Sequence, residues 1–242
     1  ESLEKNNQQL AFEPIDFGYL KDSKSNKGTA AGQLSCNFSG SRRFKVGSLR
    51  DHILGFRGVN GKGDIIKSGG TVVKNVTGYD LSKLVTGSFG TLTALTEITF
   101  KVLPKKDSIS TLVIYSEDNK VITDLFDQLL SSSNEISGAV YIPVEPNNKN
   151  YTKNIEKIFK FNNLKSDEPF VAVRIEGSKK SIDERIQDIS QELQTNKMKT
   201  SILDFYQSKL FWEKINNLEL FSGTKNNLLR AVIPTATSLD LM

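Results

Sequence analysis

Cysteine and histidine each occur once, at Cys36 and His52. A lone cysteine excludes a disulfide within the chain and any zinc site or iron–sulfur cluster built from its own thiols. A lone histidine excludes a multi-histidine metal centre. Such sparse thiols fit a reducing cytoplasm. No apolar run approaches the roughly 18–20 residues of a membrane-spanning helix, and no signal-peptide pattern opens the chain. A surplus of one charge is also missing: 32 Lys and Arg face 28 Asp and Glu, a net +4. The lysines mostly lie beside acids and asparagines, whereas a nucleic-acid surface gathers its basic residues into a stripe with aromatics between. That class of function is set aside.

What remains is an ordinary globular composition, with 37% hydrophobic and 25% charged residues, and enough chain for two modest domains. Glu1 rather than an initiator Met stands first, which reads as a trimmed start. Composition changes at Leu103-Pro104-Lys105-Lys106-Asp107. Before it glycine is dense; after it glycine is rare, and proline with charge marks an exposed connection. The expected domains are therefore 1–104 and 105–242.

In the first, Ile53 to Asn60 and Asp64 to Ser68 read as strands joined by the turn Gly61-Lys62-Gly63. Asp80 is placed to cap a short helix through Val85, stopped by Gly87. Thr91 to Val102 is β-branched and reads as a strand. In the second domain, strands are predicted at Thr111–Tyr115, Ala139–Pro143, Phe170–Glu176 and Leu228–Pro234. Helical stripes run through Val121, Ile122, Leu125, Phe126, Leu129 and Leu130, and through Ile182, Ile186, Ile189 and Leu193. Ser178 or Ser181 caps the latter. A third helix around Lys209 to Leu220 carries Phe211, Trp212 and Ile215. The pattern implies an α+β fold, an antiparallel sheet with helices on one face.

The informative stretch runs from Gly28 to Pro104. G-T-A-A-G-Q-L-S-C-N-F-S-G-S-R-R-F (Gly28 to Phe44) lets a backbone approach a ligand and present N–H groups to anionic oxygens. Arg42 and Arg43 add charge there. Alone, this loop is equally readable as tight packing, and G-x-G-x-x-G is absent, which sets NAD-linked chemistry aside. V-G-S-L-R-D-H-I-L-G-F, V-N-G-K-G-D, S-G-G, V-K-N-V-T-G-Y-D-L-S-K-L and G-S-F-G-T-L-T-A-L-T-E follow in order.

With that series on view, the sequence resembles the vanillyl-alcohol-oxidase (PCMH-type) FAD-binding superfamily, and within it the FAD-binding subunits of glycolate dehydrogenase, also called glycolate oxidase. V-R-I-E-G-S (Val173 to Ser178) and L-L-R-A-V-I-P-T-A (Leu228 to Ala236) extend the likeness more loosely into the cap. The resemblance implies the second subdomain of such an FAD-binding domain, its N-terminal subdomain missing, followed by a C-terminally truncated antiparallel-sheet cap domain covered by helices. It implies FAD as cofactor, and oxidation of glycolate or another 2-hydroxy acid such as D-lactate. The implied partners are a related FAD-containing catalytic subunit and an iron–sulfur subunit, with a cytoplasmic location peripheral to the inner membrane. A non-catalytic assembly subunit of the same complex is the alternative.

Carried onto this sequence, the cofactor residues are Thr29, Gly32, Asn37, Gly40, Arg50, Asp51, Gly90, Leu92 and Leu95. Two positions depart from the family pattern: Ala31 stands where a first glycine is usual, and Thr93 where G-T-L-G is usual. Each adds a side chain where backbone approach is expected. Arg174 and Arg230 are candidates for gripping a substrate carboxylate through a guanidinium fork. Arg174 shares a strand face with Ala172 and Glu176, opposite Val171, Val173 and Ile175; a solvated face with an Arg174–Glu176 pair is the competing reading. His52 is expected to make a structural hydrogen bond, and Cys36 to pack as a small hydrophobe.

Overall fold

The computed structural model describes residues 2–22, 28–72, 78–144, 149–159, 168–195, 198–223 and 228–230. In chain order the elements are α1 (Ser2–Lys5), β1 (Gln8–Gln9), α2 (Gly18–Asp22), α3 (Ala30–Cys36), α4 (Arg43–Val46), β2 (Ile53–Asn60), β3 (Ile65–Gly69), α5 (Leu81–Val85), β4 (Thr93–Phe100), β5 (Leu103–Pro104), β6 (Ser108–Tyr115), α6 (Asn119–Ser131), β7 (Gly138–Ile142), α7 (Lys149–Phe159), β8 (Phe170–Gly177), α8 (Lys179–Thr195), β9 (Lys199–Leu203) and α9 (Phe205–Asn216). Single 3-10 turns at Leu49–Asp51 and Glu219–Phe221 complete the set. The chain divides into two compact units, Glu1–Gly18 with Ser25–Lys105, and Tyr19–Lys24 with Lys106–Met242.

The first unit is built on a three-stranded antiparallel sheet in the order β3-β2-β4, with β1 paired to β5 as a separate ribbon. The β2–β3 hairpin closes through Asn60, whose side-chain oxygen accepts from the N–H groups of Lys62 and Asp64, and through Gly63 at φ 88°. Phe12, Leu34, Leu49, Ile53, Phe56 and Val85 form the core. Asp80 caps α5 by accepting from the Lys83 N–H at 3.1 Å, and Gly87 follows at φ 80°.

The second unit is a four-stranded antiparallel sheet in the order β7-β8-β6-β9. Here the expectation of helices on one face is corrected. Val113, Tyr115, Phe170 and Ala172 pack against Tyr151, Ile155 and Ile158 of α7 and Phe211 and Trp212 of α9. Leu112, Ile114, Val171, Val173 and Ile175 face the other way, against α6 and α8. Successive strand residues point to opposite faces, so a strand covered on both sides reads as an unbroken apolar run. Thr111–Tyr115 and Phe170–Ile175 are such runs, buried at every position and apolar except at Thr111 and Arg174.

The stripe Ile182, Ile186, Ile189 and Leu193 is buried as predicted, while Leu130 of α6 stays 39% exposed. Ser178 begins α8, its hydroxyl accepting from the Ser181 N–H at 3.4 Å. Among the strands of the second unit's sheet and the helices packed on it, α7 and β9 escape the sequence reading. Strand β9 lies at the sheet edge and buries only Leu203 fully, so its residues carry little alternation. The predicted strand Leu228–Pro234 falls largely outside the described residues; Leu228, Leu229 and Arg230 are exposed and belong to no helix or strand.

Candidate functional site

Helix α3 is the centre of the glycine-rich segment. Thr29 is its N-cap, with its hydroxyl accepting from the Gly32 N–H at 3.0 Å. An added Cβ at Gly32 would lie 3.2 Å from that hydroxyl, so the glycine gives the cap its room. At the other end Asn37 takes the left-handed conformation (φ 51°, ψ 44°), which a short polar side chain tolerates. Its side-chain oxygen accepts from the Arg50 N–H at 3.1 Å. Arg50 in turn donates from Nε to the Lys83 carbonyl of α5 at 3.2 Å. The loop after α5 is tied back to α3 by main-chain bonds, Gly87 N–H to Leu34 O at 3.0 Å and Phe89 N–H to Ser35 O at 2.8 Å. Segments more than fifty residues apart in sequence thus meet in one hydrogen-bonded cluster around the C-terminal end of α3.

Gly90 follows in this loop at φ 74°, with nothing within 4 Å of an added Cβ. Phe89, itself at φ 54°, is 74% exposed and Leu92 is 47% exposed. Such a left-handed aromatic, held outward in a bonded loop, is a feature that residue types alone pass over. Its signal was its place between Gly87 and Gly90.

The other expected residues are placed differently. Gly40 donates its N–H to the carbonyls of Phe12 and Glu13. Leu95 lies on β4, half-buried against the core. Asp51 closes a capping box, accepting from the N–H and hydroxyl of Ser48 at 2.8 and 3.0 Å. Burial alone would raise its carboxyl, but the two Ser48 bonds, with His52 and Lys83 nearby, hold it below the usual carboxylate range. A cavity of 170 Å³ in this unit is lined by Asp51, Ser68, Gly69, Tyr79, Lys83 and Lys101 among others. Of the nine expected cofactor residues, Asp51 alone lines it. Residues 73–77, within the motif V-K-N-V-T-G-Y-D, lie outside the described residues.

Thr93 does not add bulk to the open side of the loop. Its side chain is 6% exposed, and its hydroxyl donates to the Val59 carbonyl at 2.9 Å. Ala31 sits half-buried in the first turn of α3. Arg42 pairs with Glu13 at 3.3 Å, while Arg43 is exposed. His52 is buried, with Nε2 bonded to the Val46 carbonyl at 3.0 Å and Nδ1 without a hydrogen-bond partner.

In the second unit, Arg174 is 1% exposed, so the solvated face considered for it is corrected. Its Nε donates to the Ser137 hydroxyl at 3.1 Å and its Nη2 to the Ser137 carbonyl at 2.8 Å. Its guanidinium lies 4.8 Å from the Trp212 ring. Gly138, opposite it on β7, leaves the room: an added Cβ would come within 3.0 Å of Arg174 Nε. Arg230 is exposed.

Among the described residues no group of three or more His, Cys, Asp or Glu is arranged to hold a metal ion, and no helix is long and apolar enough to cross a membrane.

No family model matches the chain. It is 44% identical over 104 residues to the glycolate oxidase subunit GlcE of Escherichia coli (strain K12), covering 43% of this chain and 28% of that protein. It is 39% identical over 109 residues to the glycolate oxidase subunit GlcD of Bacillus subtilis (strain 168), covering 45% and 23%. A D-lactate dehydrogenase of Anaerostipes hadrus is 38% identical over 100 residues, covering 41% and 21%. The matched segment is thus less than a third of each relative's length. Among solved structures, alkyldihydroxyacetonephosphate synthase superposes with a TM-score of 0.62 at 22% identity, covering 90% of this chain and 39% of that one. Over somewhat less than half of its length the chain is similar in sequence to glycolate oxidase subunits, and over 90% of its length it shares the fold of alkyldihydroxyacetonephosphate synthase.

Proposed function

We propose that this chain is part of an FAD-binding subunit of a 2-hydroxy-acid dehydrogenase that oxidises glycolate. The observation that carries the reading is the likeness to two glycolate oxidase subunits, joined to the cluster around the end of α3.

The residues of that cluster suit a flavin dinucleotide. Gly90 leaves open space beside its backbone, where a ligand can approach closely. Phe89 and Leu92 present apolar surface to solvent in a position to cover a planar ring. Arg50, anchored through Nε, keeps its remaining N–H groups available for a phosphate oxygen. Thr29, Gly32 and Asn37 shape and terminate α3 rather than offering side chains outward. Gly40, Asp51 and Leu95 hold the local fold. Bound FAD would supply a hydride acceptor for the substrate α-carbon; the part of this chain is to hold and orient that ring.

The proposed setting is cytoplasmic, in a complex with a related flavin subunit and an iron–sulfur subunit, peripheral to the inner membrane. The test is the flavin content of the full-length protein purified with added FAD. Stoichiometric flavin supports the reading, and a colourless, folded protein overturns it. The likeness to a D-lactate dehydrogenase favours one second reading, the same chemistry on D-lactate. Turnover of the flavin-loaded protein with glycolate and D-lactate side by side separates the two.

A further inference from the structure

The second unit contains a concave space of about 310 Å³ between α7 and the end of α9. One wall is a single face of α7, where Lys153, Asn154 and Lys157 recur at i, i+1 and i+4, spacings that bring the two lysines one turn apart. The helix's apolar face, Tyr151, Ile155 and Ile158, is buried in the core, so the orientation of these lysines is set by packing. Across the space stand Lys214 and Glu219, paired at 3.2 Å with side chains 20% and 18% exposed.

The far wall is anchored to α7. Asn154 donates from one side-chain nitrogen to the carbonyls of Leu220 at 3.1 Å and Ser222 at 2.8 Å. The Lys214–Glu219 pair neutralises itself. Lys153 and Lys157 are exposed and have no acidic partner among the described residues, which leaves two positive charges over the mouth of the cavity. A concave, one-signed surface concentrates counter-ions more strongly than the same charges on a convex face.

We infer that this cavity binds the phosphate dianion of a small phosphorylated organic molecule. Two charges one helical turn apart match a dianion better than a single carboxylate. Among the described residues the cationic donors of the cavity are lysines, and lysine binds phosphate as a point charge. The volume exceeds a phosphate alone, and the half-buried Tyr19 in the lining gives the organic portion an aromatic contact. All the described lining residues belong to the second unit, and none of them is a residue of the cluster around α3.

The test is calorimetric titration of the full-length protein with phenyl phosphate at fixed ionic strength, beside inorganic phosphate, succinate and benzoate. Saturable binding of phenyl phosphate is expected, competed by inorganic phosphate and not by benzoate. In the double variant Lys153→Gln/Lys157→Gln it weakens by at least about tenfold, the scale of one lost charge-assisted contact. The control Lys179→Gln/Lys180→Gln, on exposed positions of α8, leaves it unchanged. Absence of saturable binding, equal binding by the Lys153/Lys157 variant, or a preference for succinate over phenyl phosphate overturns the inference. Both lysines are exposed, so far-UV circular dichroism of the variant should match the parent.

Discussion

The hydroxyl of Thr93 stands 2.6 Å from the point that a Cβ on Gly58 would occupy. The two residues belong to paired strands, and Thr93 uses that space to reach the Val59 carbonyl. The space Thr93 takes is therefore matched within the sheet by a glycine on β2. Gly58→Ala should destabilise the protein by about 1–3 kcal/mol, the usual range for overpacking. Combining it with Thr93→Gly should recover only part of that, because the Ala94 carbonyl also stands at 2.7 Å. A double-mutant cycle by urea denaturation checks both statements.

His52 makes stability depend on pH. Burial pushes its imidazole below the ordinary value; the bond to Val46 works against that, Lys101 lowers it further, and Asp51 raises it. The unfolded chain takes up this proton near about 6.5, and the folded chain only at lower pH. Between those values the unfolded state binds more protons, so stability rises with pH. The contribution is present above about 6.5 and is lost as pH falls through the folded value. His52→Gln keeps a donor for the Val46 carbonyl without titrating, and should flatten this part of the profile. Denaturation midpoints measured from neutral pH downward decide it; an unchanged slope in the variant removes His52 as the cause.

Arg174 should act on stability rather than on substrate. Arg174→Ala removes a buried side chain, its two bonds to Ser137 and its contact with Trp212. The expected cost is about 3 kcal/mol, the scale of a large core truncation. Arg174→Met keeps most of the packing and should lose less. In the flavin-loaded protein at a temperature where Arg174→Met is folded, the KM for glycolate should stay at the parent value. A raised KM with parent stability would instead place the guanidinium on the substrate carboxylate.

If the proposed flavin site is right, Phe89 should separate flavin holding from folding. Its φ of 54° is uncommon for a bulky residue and easier for asparagine. Because the side chain is 74% exposed, Phe89→Asn loses little burial and relieves the backbone. The melting temperature should hold or rise slightly while the fraction of FAD retained through gel filtration falls. Full retention would show that Phe89 covers no flavin.

Much of the local structure was legible because it depends on near neighbours. Strand β2 and the cap of α5 by Asp80 rest on residues within a few positions of one another. So does the buried stripe of α8, whose 3.6-residue period is a property of the helix alone. Edge strand β9 was not legible, since its pairing with β6 compensates for a pattern in which Leu203 alone is fully buried.

The sequence by itself excluded a site built from several cysteines or histidines of this chain, pointed to α+β character through its periodicity, and held the ordered glycine motifs on which the likeness to glycolate oxidase subunits rests. The tertiary structure decided which of those motifs meet. It set Asn37 against Arg50 and Phe89 against Ser35, turned Thr93 into the sheet, and buried Arg174 beneath Trp212. It also exposed two lysines of α7 over a cavity. The reason is physical: a residue's type limits which bonds it can make, but which partner lies within reach depends on how distant segments pack.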